Sequence, residues 1–174
     1  MLRTASLFAF ASASLIFAAP VFAGPDDFHP GPVIPEFGDI ADVDIEMEIP
    51  DGVVLRHAFD ASSGAADGEL NRTLSSAARF INMHAANGVP VENIHLAVVV
   101  HGQAVSDVTT VRAEANAALV EALTAHGVRI YVCGQSAAWY DVGAEDLLPG
   151  VDMALSAMTA HALLHAEGYS VNPF

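Results

Sequence analysis

The sequence predicts an α/β protein with a mainly parallel sheet of about five strands, covered on both faces by helices. From Asp51 onward, short apolar or β-branched runs alternate with longer segments of helical periodicity. The run 93–102 is almost continuously apolar, as in strands buried on both faces of a parallel sheet. The helical segments stop at glycines, so the chain reads as successive β-then-α units, whose right-handed crossovers keep neighbouring strands parallel.

The first part of this region predicts two strands and one helix. The β-branched run 53–59 predicts a strand that ends at Asp60. Segment 69–88 predicts a helix, because its apolar residues recur on one helical face and Gly88 stops it. The apolar run 93–102 then predicts the second strand.

The second part predicts two helices and the remaining strands. We predict them at 110–127 (helix), 128–133 (strand), 151–155 (strand), 156–168 (helix) and from about Tyr169 (strand). The third strand ends at Cys133, the only cysteine in the chain. Ser156 is expected to cap the last helix, because its hydroxyl can accept a hydrogen bond from the first turn.

The N-terminal residues indicate export. Residues 1–23 have the parts of a secretory signal peptide, namely Arg3, an apolar centre and a Val-Phe-Ala cleavage site. We expect cleavage before Gly24 and a periplasmic or secreted protein, with a retained membrane anchor as the alternative. Residues 24–50 are rich in proline and acidic residues, which predicts an extended surface arm, and residues 51–174 form the α/β domain.

The mature chain is strongly acidic. The formal charge of −15 for the whole chain becomes −16 once the single arginine of residues 1–23 is removed. Such a field repels nucleic-acid phosphates and anionic lipids, so we expect no nucleic-acid partner and no membrane binding after signal cleavage. The remaining length suits one domain that buries its core without disulfides.

A single cysteine in an exported chain needs an explanation, because thiols usually pair in oxidising compartments. Cys133 has no internal partner, so it is a buried inert thiol, a reactive thiol or half of an intermolecular pair. In open α/β sheets, ligands bind outside the carboxyl ends of the strands. The predicted strands place Asp60, His101 and Cys133 at those ends.

The residues after Cys133 favour a reactive thiol. Gly134 permits a tight turn, and Gln135 and Ser136 can start a short helix whose backbone N–H groups point at the sulfur and lower the pKa of the thiol. His101 can exchange a proton with the sulfur, and Arg72 can add positive charge.

Each of these residues also has a structural interpretation. A cysteine at the end of an apolar strand is often simply packed, and His101 can cap a backbone group. A surface ion pair or a helix cap explains Asp60 or Arg72 equally well.

Signatures of metal and cofactor sites are weak or absent in the sequence. His161 and His165 lie four residues apart on one predicted helix face, but no third ligand is evident, so we expect a solvated or core-edge pair and no metal. The sequence lacks a glycine-rich phosphate loop, a dinucleotide fingerprint, a CxxC motif and a nucleophile-elbow serine. We therefore expect no cofactor.

Three blocks of the sequence resemble a known family. LAVVVHGQA (96–104), GVRIYVCGQSA (127–137) and the segment 146–169 are similar, in this order, to the DsrE/DsrF-like sulfur-relay proteins. The resemblance implies a three-layer α/β/α domain that forms homo-trimers or homo-hexamers. It also implies that the cysteine after the third strand, here Cys133, carries sulfur as a persulfide, with His101 as a site neighbour.

Two functions are compatible with these observations. In the first, the protein is a periplasmic sulfur carrier or sulfurtransferase that holds sulfane sulfur on Cys133, with unknown donor and acceptor. In the second, it is a non-catalytic oligomeric protein of the same fold that binds a small ligand or serves as a structural subunit. The reactivity of Cys133 toward an alkylating reagent distinguishes the two.

Overall fold

The computed structural model of the protein describes residues 24–111 and 114–172. The predicted signal segment 1–23 lies outside the described residues. Among the described residues, no helix is both long enough and apolar enough to cross a membrane.

The centre of the fold is a five-stranded, all-parallel sheet, as the sequence predicts. The strands are β1 (Leu55–Ala61), β2 (Ile94–Val100), β3 (Arg129–Cys133), β4 (Val151–Ala154) and β5 (Ser170–Asn172). Their spatial order is β4-β3-β2-β1-β5. The chain therefore builds the sheet outward from β1 to β4 and then crosses over to add β5 on the other side of β1.

Four α-helices accompany the strands. They are α1 (Arg72–Ala86), α2 (Ala117–Ala125), α3 (Gly134–Trp139) and α4 (Ala157–Ala166). The predicted cap of α4 is confirmed, because Ser156 Oγ accepts a hydrogen bond of 3.0 Å from the backbone N–H of Thr159.

The predicted helix at 110–127 is wrong in its first part, because α2 begins only at Ala117. It is preceded by a 3₁₀ helix at Gly102–Val108 and by turns at the described residues 110–111 and 114–116. The physical reason lies in Asn116, which is buried and whose Oδ1 accepts a 2.8 Å hydrogen bond from the backbone N–H of Asn71. The segment before α2 thus ties two loops together instead of extending the helix.

The two faces of the sheet have separate apolar cores. Alternate residues of the strands, such as Phe59 and Val98, face α1 and α2, whereas Ala58, Ala97 and Val99 face α4. This alternation follows from the period of two along a strand. The sheet is therefore the middle of three layers, and α4 covers the face to which the side chain of Asp60 belongs.

The N-terminal arm is packed more closely than the predicted surface segment. Residues 24–50 contain one short 3₁₀ turn, but Ile34 is buried in the core on the α1 side. Asn82 of α1, fully buried, accepts hydrogen bonds from the backbone N–H groups of Val33 and Ile34 and donates to three carbonyl groups of the arm. The arm therefore belongs to the folded unit, because this one side chain bonds five of its backbone polar groups.

Candidate active site

Three of the predicted site residues lie at the carboxyl edge of the sheet. Asp60 is the penultimate residue of β1, His101 directly follows β2, and Cys133 ends β3. The register pairs Val100 with Val132, so His101 and Cys133 lie at the same level on adjacent strands. Because side chains alternate along a strand, all three belong to the sheet face covered by α4.

Asp60 is the centre of a cluster with two imidazoles. The Nε2 atom of His101 lies 3.0 Å from Oδ2 and 3.1 Å from Oδ1 of Asp60. The Nε2 atom of His161, from α4, lies 2.7 Å from Oδ1. Burial alone would raise the pKa of Asp60, but the hydrogen bonds from His101 and His161 outweigh it and lower the pKa. The carboxylate is therefore held ionised between two N–H donors.

The ionised carboxylate determines which ring nitrogen is the basic one. An ionised Asp60 only accepts hydrogen bonds, so the Nε2 atoms of both imidazoles carry the proton. In His101, whose side chain is 30% exposed, Nδ1 is then the ring nitrogen that carries the acceptor lone pair. Nδ1 of His161 is buried and has no hydrogen-bond partner among the described residues.

Cys133 is buried but lies where helix N-termini meet. The residue is 6% exposed, ends β3 and directly precedes α3. Burial alone would raise the pKa of the thiol, but hydrogen bonds from the hydroxyl and backbone N–H of Ser136, and from the backbone N–H groups of Ala157 and Gln135, lower it. Gln135 and Ser136 belong to the first turn of α3, and Ala157 is the first residue of α4. Two helices therefore stabilise the thiolate.

The loop that holds the thiol is fixed by further contacts. The backbone N–H of Gly102, after β2, donates a 3.1 Å hydrogen bond to Ser136 Oγ. The side chain of Gln135 donates to the carbonyl of Leu155 at 3.3 Å. A Cβ atom on Gly134 would lie 2.7 Å from the carbonyl oxygen of Ala154, so the turn after Cys133 accepts only glycine without a shift of the backbone.

Some predicted neighbours do not meet the thiol. No hydrogen bond joins His101 to Cys133 within the described part of the chain, since Nε2 of His101 bonds Asp60 instead. Arg72 is exposed in the first turn of α1, on the other face of the sheet, and forms no ion pair with Asp60 among the described residues. His165 is exposed, and within residues 24–111 and 114–172 no three His, Cys, Asp or Glu side chains are arranged so that they could hold a metal ion.

Sequence reasoning missed two members of the site. His161 was considered only as half of a histidine pair, whereas in the structure it bonds Asp60, 101 residues earlier. Ala157 carries no side-chain signal and contributes only its backbone N–H. The one available hint was Ser156, since a predicted N-cap marks the helix start whose free N–H groups favour an anion.

A sequence model of the DsrE/DsrF-like family matches residues 56–173. The chain belongs to the DsrE/DsrF-like family. This confirms the resemblance drawn from the three sequence blocks, and the matched range contains every site residue described above. No curated protein shows significant sequence similarity to the chain.

Two solved structures show the same fold as this DsrE/DsrF-like protein. A protein of unknown function from Methanobacterium thermoautotrophicum, MTH1491, is 22% identical, with a TM-score of 0.55 over 69% of this chain and 99% of its own. The ychN protein from E. coli is 13% identical, with a TM-score of 0.50 over 70% of this chain and 100% of its own. At these identities the likeness concerns the fold alone.

Proposed function

We propose that this protein is an exported sulfur carrier that holds sulfane sulfur as a persulfide on Cys133. The observation that carries the proposal is the environment of the thiol. Cys133 is a single cysteine in a member of the DsrE/DsrF-like family, and N–H and O–H donors from two helices lower the pKa of its thiol. The thiolate is the nucleophilic form of cysteine. The absence of a second cysteine also suits a carrier, because nothing in the chain can resolve a disulfide.

The loading and unloading steps are thiol exchange reactions. The Cys133 thiolate attacks the outer sulfur of a persulfide donor, R–S–SH, which forms Cys133–S–SH while the donor leaves as R–S⁻ with the electron pair. An acceptor thiolate then attacks the same outer sulfur, takes it as A–S–SH and releases the Cys133 thiolate. The donors around Cys133 favour loading by increasing the fraction of thiolate at neutral pH, and they favour unloading by stabilising the thiolate as leaving group.

His101 and Asp60 supply a base in this scheme. Asp60 holds the Nε2 proton of His101, which leaves Nδ1 as the basic nitrogen on a partly exposed ring. Adjacent strands are about 5 Å apart, so this ring stands one strand away from the thiol. We assign His101 the role of taking the proton from an incoming acceptor thiol, with Asp60 orienting the ring.

Homo-oligomerisation, as a trimer or hexamer, is part of the proposal. It is supported by exposed apolar side chains beside the edge strand β4 and along α4, among them Leu155, Met158 and Leu163. Leu155 and Leu163 border a groove of about 350 Å³ that is mainly apolar. Soluble proteins seldom leave such surfaces uncovered. Light scattering of the mature protein is expected to give a trimer or hexamer mass, and a monomer mass would remove this part of the proposal.

Export rests on residues 1–23 and is tested separately. Expression of the full chain in a Gram-negative host should yield a periplasmic form that begins at Gly24 by N-terminal sequencing. Retention of the N-terminus in the membrane fraction would support the anchor instead.

The central test is intact-mass spectrometry of the reduced mature protein after incubation with a polysulfide or thiosulfate. One added sulfur is expected to increase the mass by about 32 Da, and the Cys133→Ser variant should show no gain. Two added oxygens give nearly the same increase, so each sample is remeasured after treatment with dithiothreitol. A persulfide is removed by the thiol, whereas a sulfinic acid persists.

The alternative function has one observation in its favour, namely the 6% exposure of Cys133. If the reduced protein gains no sulfur from any donor and Cys133 resists alkylation across the pH range, the carrier proposal fails. A non-catalytic protein of the same fold, with Cys133 as a packed core residue, would then be the better account.

A further inference from the structure

His161 connects the thiol to the Asp60 cluster through helix α4. Its Nε2 atom donates to Oδ1 of Asp60 at 2.7 Å, the shortest hydrogen bond of that cluster. One helical turn earlier, α4 begins at Ala157, whose backbone N–H is one of the groups that lower the pKa of the Cys133 thiol. Residues four apart lie on the same helix face. The face of α4 that covers the sheet therefore touches β3 at Cys133 and β1 at Asp60.

We propose that His161 is a positioning residue for the thiol: by donating to Asp60, it fixes the first turn of α4 at the distance from which Ala157 stabilises the thiolate. The inference rests on the proposed function for its purpose, but the geometry is independent of it. Ser156 caps the start of the same turn, so the cap and His161 hold it from both ends.

In this positioning role, His161 acts through one donor atom, Nε2. His161 Nδ1 is buried and has no partner among the described residues, so the ring contributes one hydrogen bond to the site, from Nε2. Glutamine carries an N–H donor at a similar reach and lacks the second ring nitrogen. Phenylalanine keeps the ring volume and removes the donor. The two substitutions therefore separate hydrogen bonding from packing.

The same bond sets the orientation of the carboxylate for His101. Oδ1 of Asp60 is shared by the two imidazoles, and Oδ2 is bonded by His101. Loss of the His161 donor leaves the carboxylate held by His101 alone and lowers the barrier to its rotation about the terminal bond. Removal of His161 is thus expected to affect both the thiol, through α4, and the base, through Asp60.

The test compares the pH profiles of Cys133 alkylation by iodoacetamide, followed by intact mass. His161→Phe is expected to slow alkylation about threefold at neutral pH and to move the midpoint of the profile upward, as for partial loss of one hydrogen bond to the thiolate. His161→Gln should restore a profile close to wild type. His165→Phe, a matched change at an exposed histidine on the same helix, should leave it unchanged.

Two results would overturn the proposal. One is a wild-type profile for His161→Phe, and the other is an equal loss in His161→Gln and His161→Phe, which would assign the effect to ring packing. If His161→Phe does not fold, Asp60→Ala tests the same link, because it removes the acceptor of the His161 hydrogen bond and should produce the same upward movement. In the double variant the effects should not add, since both changes break one bond.

This test does not depend on sulfur loading. Alkylation needs only a thiolate, so the role of His161 is measured even if the protein never carries a persulfide. Conversely, a mass gain of one sulfur in the wild type together with an unchanged profile in His161→Phe would support the carrier function and reject His161 as its positioning residue.

Discussion

The hydroxyl of Ser136 is the side-chain donor to the thiol and can be removed alone. In Ser136→Ala the backbone N–H groups of Ser136, Gln135 and Ala157 remain, so the thiolate keeps most of its donors. The variant also leaves the backbone N–H of Gly102 without its acceptor, now 3.1 Å away. We expect a higher thiol pKa than in wild type, together with a modest loss of stability in the loop after β2.

The expected magnitude follows from one charge-assisted hydrogen bond. Such a bond contributes about 1.5–3 kcal/mol, and the low end of this range already reduces the thiolate fraction about tenfold at a pH below the pKa. A more basic thiolate is also a better nucleophile, which recovers about threefold of the rate. The alkylation rate constant near neutral pH should therefore fall about threefold, while the limiting rate at high pH should rise.

The assay is the iodoacetamide rate constant of Cys133 from pH 5 to pH 10, with Ser106→Ala as a matched control. The hydroxyl of Ser106 donates to the carbonyl of Gln103 within the same edge of the sheet and makes no contact with the sulfur. If Ser136→Ala and Ser106→Ala give the same midpoint as wild type, the hydroxyl does not stabilise the thiolate and the argument for an activated Cys133 loses its main side-chain donor.

Three further predictions concern the surroundings of the site. The lowered pKa of Asp60 means that its stabilising contribution is complete above the pKa of an unfolded aspartate, about 3.9, and is lost as the pH falls through the lower folded value. Asp60→Asn should therefore lower the urea midpoint of unfolding at pH 7 and make this midpoint less sensitive to pH below about pH 4. A variant whose midpoint falls with acid as steeply as that of wild type would contradict this. Gly134→Ala should lower the free energy of unfolding in urea by about 1–3 kcal/mol, because the added Cβ meets the carbonyl oxygen of Ala154. Gln135→Ala, at the exposed neighbouring position, is the control and should lower it far less. Asn82→Ala should lower the free energy of unfolding by about 3 kcal/mol or more, because the arm loses its buried hydrogen bonds. A glutamate-specific protease should then cleave the arm faster than in wild type. An arm that stays resistant would show that the packing of Ile34 holds it without Asn82.

Local patterns predicted the sheet well, because buried parallel strands have a strong signature. The run at 93–102 contains all of β2, and the cysteine was correctly placed at the end of β3. The boundaries of the second helix were wrong for a non-local reason. Asn116 uses its side chain to bond Asn71, 45 residues earlier, and this tertiary contact overrides the helical propensity of the segment before it.

The packing of the arm was beyond the reach of sequence patterns. Its prolines and acidic residues indicate an absence of regular structure, which is correct for most of the segment. The pattern does not reveal that Asn82, on the buried face of α1, bonds both backbone N–H and carbonyl groups of the arm. An asparagine within an apolar helical stripe is the only local sign of such a contact.

The site shows the same division between local and long-range information. The rule that ligands bind at the carboxyl ends of strands was sufficient to place Asp60, His101 and Cys133 at one edge. It could not indicate their partners, because β5 pairs with β1 and this pairing is not encoded in any one segment. Since β4 and β5 lie at opposite edges of the sheet, α4, which connects them, must cross the face of the sheet. This crossing brings His161 to Asp60 and the first turn of α4 to Cys133. His161 lies four residues before His165, a spacing that suggested a metal-binding pair. It also lies four residues after Ala157, so the two share one face of α4. The helical period therefore aligns Ala157, next to the thiolate, with His161, which anchors the helix to Asp60.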